Sequence, residues 1–162
     1  MSPGTPANPF PEPLAGELDR LLARYPTRAA AMLPVLARLQ AERGRLDDAT
    51  LAEAASYLGV PEAHVHGVVS FYSMFYRGPV GRNRIYVCRT LSCRLRGAEE
   101  VTRALEEKLG VERGGTTPDG RFTIVPFECL GLCDMAPAAL CGERRFGNLD
   151  PSRVAAMLEE LP

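Results

Sequence analysis

The spacing of the cysteines constrains this chain more than any other feature. Cys88 and Cys93 have four residues between them, Cys129 and Cys133 have three, and Cys141 stands alone. All five lie in the second half of the 162 residues. An odd number of cysteines with no export signal is expected of a reducing compartment, where thiols bind metal, catalyse or sit in a core. Two spaced pairs are hard to explain as small buried hydrophobes, which is the common role of a cysteine in a core.

Both pairs follow segments that read as strands, Ile85-Tyr86-Val87 and Phe122–Phe127, so both are expected on loops, with Cys88 ending the first strand and Cys129 following the second. Loops from neighbouring strands can bring four thiolates to one point. That donor set suits a [2Fe–2S] cluster and equally a tetrahedral zinc site. The surroundings tilt the choice toward the cluster. From Arg77 through Ala98 there are six arginines and no acid. Arg89 and Arg94 flank the first pair and are expected to offset the negative charge of a tetrathiolate diiron centre. Arg77, Arg82 and Arg84 read equally well as a solvated or partner-facing surface. Gly97 and Gly131 are expected to let backbone amides approach the sulfurs. A redox-active dithiol needs Cys-x-x-Cys at a helix N-terminus, and neither pair has that spacing.

Composition removes other classes. Hydrophobic residues are 46% and charged residues 24% of the chain, and the net charge is −1, ordinary values for a globular protein. The longest apolar run, Ala29–Ala37, is too short to span a membrane and contains Pro34. Collagen-like, disordered and disulfide-dense chains are excluded on the same grounds. Residues 1–13 hold five of the 14 prolines and read as a flexible arm.

Residues 14–78 read as a helical domain. Leu14, Leu18, Leu21 and Leu22 recur at helical spacing, as do Met32, Val35, Leu36 and Leu39 up to a stop at Gly44. Pro34 belongs in a first turn or at a kink. A third helix is expected from about Asp48 to Leu58, capped by Asp47 or Asp48 and ended by Gly59. Pro61 suits the first turn of a fourth helix reaching toward Ser70. Residues 79–162 change character. Strand Ile85–Val87, helix Gly97–Leu109, strand Phe122–Phe127, a hairpin of Ala138–Leu140 with Arg144–Phe146, and helix Pro151–Leu161 make an α/β pattern. The fold class is therefore α+β.

The segments Cys88-Arg-Thr-Leu-Ser-Cys93-Arg-Leu-Arg-Gly97-Ala98-Glu99 and Glu128-Cys129-Leu-Gly131-Leu-Cys133-Asp-Met-Ala136-Pro137 resemble the [2Fe–2S] subunit of bacterial NADH:quinone oxidoreductase. This is the thioredoxin-like ferredoxin of respiratory complex I. Gly67-Val-Val-Ser-Phe-Tyr72, Thr117-Pro-Asp-Gly120-Arg-Phe122 and Phe146-Gly-Asn-Leu149 fit the same family, so the likeness spans roughly residues 18–161. It implies an N-terminal helical bundle followed by a thioredoxin-like α/β domain, with the [2Fe–2S] cluster held by Cys88, Cys93, Cys129 and Cys133. It also implies a flavin- and NADH-binding partner subunit, other peripheral-arm iron–sulfur subunits, and a cytoplasmic place at the inner face of the cell membrane. Similar small subunits serve the diaphorase modules of NAD-linked hydrogenases and formate dehydrogenases. Two positions depart from the pattern. Cys141-Gly142-Glu143 stands where an Asn-containing hairpin turn is usual, so Cys141 reads as a core or strand residue. Asp134 follows the fourth ligand where a small residue is common.

Other readings fall away. Residues 48–70 resemble a helix-turn-helix, but residues 46–76 contain four acids and no Lys or Arg, so phosphate neutralisation is missing and no nucleic acid is expected. His64 and His66 lie two apart on a helix and cannot chelate together. Phe71, Tyr72, Phe75 and Tyr76 read as packing between the halves or as partner interface rather than as a flavin stack. There is no GxGxxG or P-loop fingerprint, and Lys108 is the only lysine. FMN and NADH are therefore expected on the partner alone. The chain is expected to act as an electron-carrying subunit of an oxidoreductase, with no membrane insertion. A zinc-bound interaction module is the alternative from another class.

Overall fold

A computed structural model describes residues 8–162, which divide into two units between Pro79 and Val80. Residues 1–7 of the expected arm lie outside the described residues. Within residues 8–13, Asn8 and Phe10 are held against the helical unit while Pro9, Pro11, Glu12 and Pro13 are exposed. Phe10 is buried and meets Tyr57 edge-on with ring centroids 5.5 Å apart. The Asn8 amide donates to the Ala15 carbonyl at 3.1 Å and to Asp19 at 3.0 Å. The chain is anchored earlier than its prolines suggest because Phe10 has an apolar seat.

In the first unit, α1 (Leu14–Leu22) buries Leu14, Ala15 and Leu18. A 3-10 turn at Ala29–Ala31 leads into α2 (Met32–Arg43), where Pro34 occupies the first turn. There its missing N–H has no carbonyl to lose. Gly44 and Gly59 end α2 and α3 (Asp48–Leu58) in the left-handed conformation that glycine adopts freely. Asp47 caps α3, accepting the Thr50 N–H at 3.0 Å. Helix α4 (Glu62–Phe71) starts one residue after Pro61, which is extended and precedes the first turn instead of sitting in it. Met32, Val35, Leu36, Leu39, Leu51, Tyr57 and Val65 close the core. Phe75 joins that core, whereas Phe71 is 80% exposed.

The second unit is a four-stranded sheet in the order β2-β1-β3-β4. Strand β1 (Asn83–Cys88) runs parallel to β2 (Phe122–Phe127), with Cys88 opposite Phe127. Strand β3 (Ala139–Cys141) is antiparallel to β1, and β4 (Arg144–Phe146) is antiparallel to β3. The parallel pair needs a crossover, supplied by the short α5 (Leu91–Leu95) and by α6 (Ala98–Leu109). A 3-10 turn at Pro151–Arg153, capped by Asp150, precedes α7 (Val154–Glu159), so the expected terminal helix is in two pieces. Ile85, Val87, Ile124, Val101, Leu105, Val154 and Met157 form the core, which includes Cys141. Among the described residues, no helix is long and apolar enough to cross a membrane.

Candidate metal centre

Parallel pairing brings the C-terminal ends of β1 and β2 to the same end of the sheet, where they deliver the two cysteine segments side by side. The Arg89 N–H donates to the Phe127 carbonyl at 3.0 Å, extending the ladder one residue past Cys88. Arg89 Nε donates to Glu128 at 3.0 Å, so the residues following Cys88 and preceding Cys129 are clasped together. Both partners are more than half exposed, and the clasp contributes at most about 1 kcal/mol. It also corrects the reading of Arg89. That charge faces a carboxylate and is less available to offset a cluster than the sequence suggests.

Cys88 is the last residue of β1, at the strand end where it is expected, but Cys93 lies within α5 and Cys133 opens a 3-10 turn at Cys133–Met135, where loops are expected. Only Cys129 sits in irregular chain. Cys88 and Cys93 are each 2% exposed and share a small core with Ala98, Ala136 and Ala138, flanked by Leu130 and Leu132. Cys129 and Cys133 are exposed. The four sulfurs thus straddle the boundary between an apolar floor and solvent.

Hydrogen bonding differentiates the thiols. Burial opposes ionisation of Cys88 and is the largest single influence on it. The Thr90 hydroxyl and amide, the Cys93 thiol and the Leu130 amide together outweigh burial and hold Cys88 below the usual thiol value. The Thr90 hydroxyl is 3.2 Å from the Cys88 sulfur. When protonated, the same sulfur donates to the Glu128 carbonyl at 3.1 Å. Cys93 is pushed up to about 11, first by burial, then by donating to Cys88 and by the charges of Cys88 and Cys133. Cys88, Cys93 and Cys133 are therefore electrostatic neighbours. The Cys129 sulfur instead accepts the Gly131 N–H at 3.4 Å. Gly131 does present its amide to a sulfur, but Gly97 does not, because its N–H donates to the Arg94 carbonyl and closes α5. The roles of Thr90 and the Leu130 amide are not legible from the cysteine spacing. A hydroxyl two residues after a strand-ending cysteine is the one local signal for the first of them.

The donor set fits a two-iron cluster. Such a cluster asks for two thiolates per iron, and the chain offers two pairs on adjacent strand ends. Among the described residues, no three His, Cys, Asp or Glu side chains close around a single ion position. A cavity of about 250 Å³ adjoins Cys88, lined in part by Arg89, Arg94, Glu99 and Arg113. Arg113 bridges Glu99 and Glu106, and its guanidinium lowers both carboxyls. Cys141 lies away from this site, buried in β3, and burial raises its thiol. His64 is exposed, Val65 beside it is buried, and His66 is half-buried, so the two histidines share no face of α4.

This chain is similar to known proteins. Residues 18–162 match the sequence model of the thioredoxin-like [2Fe–2S] ferredoxin family. The second of the E-type subunits of NADH-quinone oxidoreductase in Rhizobium meliloti (strain 1021) is 43% identical over 88% of this chain and 85% of its own length. The HndA subunit of the NADP-reducing hydrogenase of Solidesulfovibrio fructosivorans is 37% identical over 93% of this chain and 88% of its own. Among solved structures, an air-oxidised NAD+-reducing [NiFe]-hydrogenase superposes on 77% of this chain at 30% identity, with a TM-score of 0.65. This chain spans only 22% of that hydrogenase chain. The chain belongs to the thioredoxin-like [2Fe–2S] ferredoxin family, and its cofactor is a [2Fe–2S] cluster.

Proposed function

We propose that Cys88, Cys93, Cys129 and Cys133 hold the cluster and that the chain carries electrons within an NADH-oxidising complex, as the thioredoxin-like [2Fe–2S] subunit of an NADH:quinone oxidoreductase. The observation that carries this reading is the delivery of two cysteine pairs to one end of the parallel β1–β2 pair, clasped by Arg89 and Glu128. When bound, the cluster takes up and releases single electrons. The chain's own groups do the rest. Buried Cys88 and Cys93 exclude water from one side, Thr90 and Gly131 donate to sulfur, and Arg94 supplies positive charge beside the first pair. No dinucleotide fingerprint accompanies them, so FMN and NADH belong to a partner subunit docked beside the cluster. The complex would sit in the cytoplasm at the inner face of the membrane.

The likeness to hydrogenase subunits supports a second reading, the equivalent diaphorase subunit of an NAD-linked hydrogenase. Purification of the tagged chain from its own cells under anaerobic conditions separates the two. Quinone-reductase membrane subunits in the assembly support the first reading. Nickel–iron hydrogenase subunits support the second. A chain that recovers no NADH-oxidising flavoprotein contradicts both.

A further inference from the structure

We propose that Arg113 is a positioning residue for electron uptake: it holds Glu99 in place on α6 and cancels that carboxylate's charge on the wall of the cavity beside Cys88. This rests on the functional reading above. Glu99 is the first acid after the stretch of six arginines that carries the first cysteine pair. It lies in the first turn of α6, and among the described residues lining that cavity it is the one acid. A free carboxylate there would oppose the electron that makes a tetrathiolate cluster more negative.

Arg113 comes from the chain between α6 and β2, and it is fixed from both sides. The Gly114 N–H donates to the Ile124 carbonyl at 2.7 Å, and the Ile124 N–H donates to the Gly115 carbonyl at 3.2 Å, which ties this segment to β2. The Arg113 N–H donates to Glu106 Oε1 at 2.8 Å. Its guanidinium then spans two carboxylates of α6. Nη2 and Nη1 donate to the two oxygens of Glu99 at 2.7 and 3.3 Å, and Nε donates to Glu106 at 3.1 Å. A fork of this kind fixes direction as well as charge. The Glu99–Arg113 pair is nearly half exposed, so its contribution to folding is small. Its place on the cavity wall gives it a second consequence. Arg94 and Arg103 also favour the ionised form of Glu99, but through charge alone, so loss of Arg113 leaves that carboxylate unclasped beside Cys88.

Redox titrations followed by EPR on the cluster-loaded full chain test this, with iron content checked in each variant. Arg113→Gln shifts the reduction equilibrium at least threefold toward the oxidised form, a potential about 28 mV lower for one electron. Glu99→Gln shifts it the other way. The double variant Arg113→Gln/Glu99→Gln returns close to the wild type. Arg113→Lys keeps the charge and loses the fork, and it stays nearer the wild type than Arg113→Gln does. Wild-type potentials in both Arg113→Gln and Glu99→Gln overturn this role for Arg113. Equal lowering by Arg113→Lys and Arg113→Gln also overturns it, being the mark of a fastening that acts only through the fold. Where Arg113→Gln takes up no iron, Glu99→Gln decides: a raised potential supports the role, and an unchanged or lowered one overturns it. A wild-type chain that takes up no cluster overturns the functional reading, and the role of Arg113 with it.

Discussion

The Thr90 hydroxyl lies 3.2 Å from the Cys88 sulfur, close enough to donate to it once the sulfur is ionised. Hydrogen bonds to cluster sulfurs favour the more negative, reduced state. Thr90→Val therefore lowers the midpoint potential. About 1 kcal/mol for one neutral hydrogen bond and 59 mV per tenfold for a one-electron couple set the scale at about 40 mV. A redox titration followed by EPR reads the shift, and an unchanged potential with a fully loaded cluster contradicts it.

Arg94 lines the cavity beside Cys88, whereas the Arg89 charge is shared with Glu128. Arg94→Gln accordingly lowers the potential more than Arg89→Gln does, each removing one positive charge. Equal shifts, or a raised potential for Arg94→Gln, show that Arg94 does not offset cluster charge.

Cys141 is a core residue of β3. Cys141→Ala keeps two irons per chain and the wild-type EPR spectrum, and costs about 1 kcal/mol of stability through lost packing. Loss of iron in this variant would reassign Cys141 to the site.

Gly81 sits against the Phe122 backbone. A Cβ there would lie 2.6 Å from the Phe122 carbonyl carbon, and a strand backbone has no rotamer by which to yield. Gly81→Ala destabilises the chain by about 1–3 kcal/mol, measurable by chemical denaturation. A neutral result means that β2 shifts easily relative to the preceding chain.

Asp47 shows how folding depends on acid. Hydrogen bonds from the Thr50 hydroxyl and amide, with the nearby Arg45 and Arg43 charges, hold its carboxyl below the usual carboxylate value. The folded form therefore binds its proton less readily than the unfolded chain. The resulting stability is present above the unfolded value of about 3.9 and is lost as the pH falls through the folded one. Asp47→Asn should flatten the decline in thermal stability below about pH 4. A decline identical to that of the wild type removes Asp47 from the account.

What the sequence discloses follows from how local each signal is. The stops at Gly44 and Gly59 and the Asp47 cap are readable because residues a few positions apart make them. Strand β2 is readable in full for the same reason. Helix α5 is a single turn with no apolar period, so Cys93 reads as a loop residue although it is helical. Arg89 is misread because its partner, Glu128, is brought close only by the β1–β2 pairing. Phe10 looks like part of an arm until Tyr57 supplies its seat. The cysteine pairs themselves are legible from spacing and from family resemblance, but the Glu128 carbonyl and Leu130 amide that also set Cys88 apart are brought to it by tertiary structure.

A [2Fe–2S] cluster held by Cys88, Cys93, Cys129 and Cys133 is open to metal analysis and EPR on protein purified anaerobically, beside single Cys→Ala variants at those positions and at Cys141. About two irons and two acid-labile sulfides per chain are expected, with an EPR signal that appears on reduction. That signal is lost or altered in each of the four variants and kept in Cys141→Ala. A colourless protein with one zinc per chain and no signal on reduction would contradict it.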